Sequence, residues 1–113
     1  MKNQINKTYL FKIYKKYFNE IRTLTYRIRQ DYSNFRKYRA TFSDFDGEIL
    51  YCLVRERKPN VFYEISPDCG FSSIYITSAL SKNNKGKLFS FEIEKKKFNI
   101  DTQKLIENNI KDY

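Results

Sequence analysis

Apolar side chains at Leu10, Tyr14, Tyr17, Ile21, Leu24 and Ile28 recur at steps of four and three, the spacing that lines one face of an α-helix. No Gly or Pro interrupts residues 1–46, and Lys15, Lys16, Arg22, Arg27 and Arg29 project off that stripe. Asp31 falls on the stripe, so the helix is expected to bend or stop near Tyr32. Asp46 is placed to cap a second helix starting near Gly47, with Glu48 suited to the positive end of its dipole. Ile49, Leu50, Leu53 and Val54 form its apolar side, and Pro59 disfavours helical geometry at Lys58. Val61–Ile65 is short, β-branched and aromatic, and reads as a buried strand. A loop, Ser66–Phe71, leads to Ser72 as N-cap of a helix running to about Ser81. After a turn at Asn83–Gly86, Lys87–Ile93 alternates as a second strand, and a last helix is expected from Lys96 to Ile110 with Phe98, Leu105, Ile106 and Ile110 on one side.

Charge divides the chain. Residues 1–45 carry 11 Lys/Arg and 3 Asp/Glu, a net of +8, whereas residues 46–113 carry a net of +1. Eleven of the twenty aromatic residues also lie in the first 45. The 113 residues suit one small domain, read as a basic aromatic helical arm, 1–45, and a nearly neutral body, 46–113. Clustered Lys/Arg neutralise phosphates, so one reading of the arm is a grip on nucleic acid. The other is an amphipathic helix whose stripe packs on the body or on a partner protein and whose basic face is solvated. No recognition-helix, RNA-binding-sheet or zinc-finger pattern supports the first reading, and the second is favoured. Lys, Asn, Ile, Phe and Tyr make 57 residues and share AT-rich codons, as in large DNA viruses and AT-rich bacteria or parasites, so the aromatic content alone is not a stacking signal.

Several chemistries drop out. There is no histidine, which removes His acid–base catalysis, the Ser-His-Asp triad and His-ligated metals. Two cysteines, Cys52 and Cys69, are too few for a disulfide framework or a four-Cys zinc site. Without a base, Cys69 reads as a passive loop residue and Cys52 as core. Lys95–Lys97 reads as the solvated start of the last helix. No apolar run is long enough for a membrane span, and residues 1–10 lack a secretory core, so an intracellular, cytoplasmic protein is expected.

The body's order, helix, strand, helix, strand, helix, implies an α/β fold: a partial doubly wound, Rossmann-like βαβ unit with a right-handed crossover. In such a unit the loop after the first strand and the acid ending the second form a nucleotide site. Glu64 ends the first strand, Gly70 sits in the loop, and Glu92 lies 22 residues beyond Gly70, close to the separation of about 20 that the geometry needs. A P-loop is excluded because no Gly-Lys-Ser/Thr occurs, and the glycines of a dinucleotide fingerprint are missing at Ser66, Asp68 and Phe71.

Residues 48–94 resemble the opening of class I S-adenosylmethionine-dependent methyltransferases, whose first motif is an acid followed by glycines at alternating positions. Glu64 matches the acid, Ser66 and Asp68 stand where the first two glycines would be, and Gly70 matches the third. The Lys58-Pro59 pair before the strand and the Ser72-Ser73 pair after the loop also fit. The resemblance implies S-adenosylmethionine as cofactor, bound by Glu64, Ser66, Asp68, Gly70 and Ser72, with Glu92 holding the ribose hydroxyls. It assigns no catalytic residue. Glycine permits close backbone approach and positive φ, so Ser66 and Asp68 weaken the expected donor affinity by about one to a few kcal/mol. The family sheet has seven strands and this chain carries two. A truncated or partial methyltransferase-like protein is therefore expected, active only if a second chain or self-association completes the sheet.

Overall fold

The fold is taken from a computed structural model, which describes residues 5–31, 44–65 and 71–91. Helix α1 (Lys7–Lys16) opens at Asn6, whose extended backbone lets its side chain accept the Tyr9 N–H at 2.8 Å. The single long helix expected for the arm is broken. Tyr17, at φ −105° and ψ 18°, separates α1 from α2 (Phe18–Asp31). At this kink the Tyr17 hydroxyl donates to Glu56 Oε2 at 2.8 Å, and the Arg55 guanidinium lies 4.9 Å from the ring centre. Backbone bonds from the Tyr17 N–H to Ile13 and from the Ile21 N–H to Tyr17 span the break, so the departure from helical dihedrals is confined to Tyr17. Helix α2 ends beside the expected stop at Tyr32.

Helix α3 (Asp44–Arg57) begins earlier than expected, so Asp44 and Asp46 occupy its first turn and Gly47 lies inside it. Asp46 is therefore not its N-cap. Glu48, the fifth residue of α3, is 4% exposed and faces the protein interior. The helix stops where Lys58 adopts φ 47° ahead of Pro59. Strands β1 (Val61–Ile65) and β2 (Lys87–Phe91) flank α4 (Phe71–Asn83) in the chain. They pair in parallel, with Glu64 opposite Ser90 and Ile65 opposite Phe91. Helix α4 closes with Asn84 at φ 55°, the Lys85 N–H returning to the Leu80 carbonyl and the Asn84 N–H to Ser81, a left-handed C-terminal cap.

Among the described residues the architecture is four helices and a two-stranded parallel sheet. Helix α4 is buried on every side, through Ser73, Ile74, Tyr75, Ile76, Ser78, Ala79 and Leu80, because the sheet lies against one flank and α3 against the other. Helices α1 and α2 pack on α3. The arm's stripe, with Ile13 added, joins α3 and α4 in one apolar core: Ile13, Tyr17, Ile21, Leu24 and Ile28 cluster with Tyr51, Cys52, Val54 and Ile74. Ion pairs stitch the same boundary, Lys16 to Glu56 at 2.9 Å, Arg29 to Asp44 at 2.6 Å and Arg55 to Glu20 at 2.7 Å.

The strand expected to be buried is half open. Phe62, Glu64 and Leu88 on one face are buried or half-buried, whereas Val61, Tyr63, Ile65, Lys87, Phe89 and Phe91 on the other are exposed, as is Ser90 near the end of β2. The described helices cover only the first face. The expected last helix, 96–110, lies outside the described residues. No helix among the described residues is long and apolar enough to cross a membrane.

Candidate functional site

The carboxyl ends of β1 and β2 meet the first turn of α4, and Glu64 is the residue that joins them. Its side chain points to the covered face and is 8% exposed. Oε1 accepts the Ser72 hydroxyl at 2.8 Å and the Ser73 hydroxyl at 2.8 Å. Oε2 accepts Ser73 at 2.9 Å and Ser90 at 3.5 Å. One carboxylate therefore ties the end of β1 to the start of α4 and to β2. Its negative charge sits at the helix end where the backbone dipole favours it.

Glu64 and Ser72, two of the six residues expected at a donor site, are thus in direct contact. Ser72 is not an N-cap. It lies within α4, and its hydroxyl donates to Glu64 instead of accepting a backbone N–H. Ser66, Asp68, Gly70 and Glu92 lie outside the described residues, as does Cys69. Ser73 and Ser90 complete the arrangement and were not singled out as site residues. Ser90 is exposed and reaches Glu64 only at 3.5 Å, so its bond is the weakest of the set.

The geometry restricts what Glu64 does. Both its oxygens accept from hydroxyls, Ser73 reaching each with its single proton, so the three serines leave part of the carboxylate's acceptor capacity open. Its role is to position the strand ends against the helix. Neither of the two described concavities lies at this corner. One, of about 690 Å³, is an apolar groove between α1 and α3 lined by Leu10, Phe11, Tyr14, Phe45 and Ile49. The other, of about 430 Å³, lies at the opposite end of α4 and β2, beside Thr77, Asn84 and Gly86.

A second buried polar cluster pins the four helices together. Glu48 accepts the Tyr14 hydroxyl at 3.0 Å and the Thr25 hydroxyl at 2.7 Å, and Thr25 lies 3.0 Å from the Tyr75 hydroxyl. Burial, then the Glu48 carboxylate, raises the Tyr14 phenol above its ordinary range, and burial pushes Tyr75 up strongly. These phenols stay protonated and act as donors. Nearby, burial first and Glu48 second push the Cys52 thiol up to about 12, which makes it an inert core residue. Among the described residues no group of three side chains is placed to hold a metal ion.

The arm's cations divide into two sets. Lys16 and Arg29 pair with carboxylates of α3, while Lys12, Lys15 and Arg22 are exposed. No family model matches the chain, and no curated protein and no solved structure matches it either.

Proposed function

We propose that residues 46–113 form the donor-binding part of a class I S-adenosylmethionine-dependent methyltransferase-like domain, truncated or completed by another chain. The observation that carries this reading is the Glu64 clip. It holds the carboxyl end of β1 against the first turn of α4, with β2 parallel alongside. In a Rossmann-like βαβ unit that corner receives the ligand, because strand ends and helix N–H groups converge there. On this reading the loop of Ser66, Asp68 and Gly70 approaches the donor, Glu92 accepts the ribose hydroxyls, and Glu64 acts as a positioning residue. The acceptor pocket comes from a partner chain. Equilibrium binding of radiolabelled S-adenosylmethionine tests it: the wild-type chain binds and Glu92→Ala does not, whereas equal affinity in the two would remove the site assignment.

A second reading, a basic module that grips nucleic acid or a partner protein through the arm, is favoured by one observation. The apolar stripe is buried, and Lys12, Lys15 and Arg22 lie exposed on α1 and α2 among the exposed rings of Phe11, Phe18 and Tyr26. Replacing these three by Gln would then abolish salt-sensitive binding to oligonucleotides.

A further inference from the structure

We propose that the open face of the β1–β2 sheet is a stacking platform for single-stranded nucleic acid, a function that does not rest on donor binding. The parallel register sets Val61 beside Lys87, Tyr63 beside Phe89 and Ile65 beside Phe91, all on the face that the described helices leave open. Tyr63 is 67% exposed and Ile65 80%, unusual for residues of this kind in paired strands. The Tyr63 ring lies 5.8 Å from Phe89 and 6.3 Å from Phe91, with interplanar angles of 27° and 22°. Tyr63 thus lies between two phenylalanine rings, each tilted from it by less than 30°.

Charge selects the occupant. None of the six residues on this face is acidic. Lys87 stands at its amino end, and Lys58 and Lys85 lie in the connections that enter the two strands. Bases stack on exposed rings whatever their sequence, because every base has a flat π-face, while lysines neutralise the phosphates. Sheet faces with two or three such rings hold two or three unpaired bases. A second copy of this chain fits poorly. Two strands about 4.8 Å apart and about 17 Å long present on the order of 200 Å², against about 800 Å² per partner in a stable interface. Each copy would also bring a net charge of +9.

The test is fluorescence anisotropy of a labelled 12-nucleotide oligouridylate with the full chain at low and physiological salt. Binding that weakens with salt is expected. Tyr63→Ala and Phe89→Ala each weaken it about 5- to 150-fold, while the loss of one cross-strand aromatic pair lowers the melting curve only slightly. Tyr63→Phe keeps the affinity. Ultraviolet crosslinking of the wild-type complex, mapped by mass spectrometry, places the crosslink within 61–65 or 87–91. Three results overturn the proposal. One is absence of binding, and another is crosslinks confined to α1 and α2, with loss only in Lys12→Gln/Lys15→Gln/Arg22→Gln. The third is a Tyr63→Ala variant that binds normally but no longer self-associates in sedimentation.

Discussion

Replacing Gly47 by Ala is the sharpest probe of how the helices meet. In an open helix interior the change would stabilise the protein by about 1 kcal/mol, because Ala is the better helix former. Here a Cβ on Gly47 would overlap the Cδ2 and Cε2 atoms of the Tyr75 ring. Tyr75 has no exposed surface, and its hydroxyl is 3.0 Å from Thr25, itself bonded to Glu48 at 2.7 Å. The ring cannot withdraw without disturbing that chain of hydroxyls, and α3 cannot withdraw without opening the core. Overpacking of this kind costs about 1–3 kcal/mol, and a weakened buried hydrogen bond adds about 1 kcal/mol. After the propensity gain the net loss is about 1–3 kcal/mol, or a fall in Tm of about 4–12 °C for a domain of this size. Thermal and urea melts read it directly. A double-mutant cycle with Tyr75→Leu adds a control, since the Gly47→Ala penalty should shrink once the ring is gone. A Gly47→Ala protein as stable as wild type, or more stable, would refute the close α3–α4 contact.

Glu64→Ala leaves the hydroxyls of Ser72 and Ser73 without their shared acceptor, so urea melts should register a loss of about 1–3 kcal/mol; a change under about 0.5 kcal/mol would mean that the clip contributes nothing. Glu20 sets an acid limit. Burial raises its pKa, but the hydrogen bonds from Arg55 and Tyr51 outweigh burial and hold it below its ordinary value of 4.5. Its stabilisation is therefore complete above pH 4.5 and is lost as pH falls through the lower folded value. Glu20→Gln should flatten the stability profile below that pH, which denaturant melts across the acid range would measure. Cys52, with its thiol pushed up to about 12, should resist alkylation at pH 8 in the native chain and react only on unfolding, as peptide mass mapping would show.

The strongest sequence signals were local ones. Pro59 marked the end of α3, the β-branched run marked β1, and alternation marked β2. What escaped was tertiary. The break at Tyr17 sits where its side chain meets Glu56 and Arg55, about forty residues away in the chain. Glu48 looks like a helix-dipole residue until Tyr14 and Thr25 are folded over it. The openness of one sheet face could not be read from a β-rich run, because Val61, Tyr63 and Ile65 have the same composition as a buried strand. Of the candidate site, the acid and the serine pair were legible by position. Their mutual hydrogen bonds were not, and these change Glu64 from a presumed ligand into a positioning residue. The arm and the body also share one core. Removing residues 1–45 would therefore expose Tyr51, Val54 and Ile74, and point substitutions are the proper tests of the arm.

The most direct test of the central proposal is the melting of the full chain, followed by circular dichroism with and without excess S-adenosylmethionine. A donor present at about 100 times its dissociation constant stabilises the native state by about 2.7 kcal/mol, which raises Tm by several degrees. The account predicts that upward shift, and its loss in Glu92→Ala. A cooperative melt that does not move at saturating donor would contradict it.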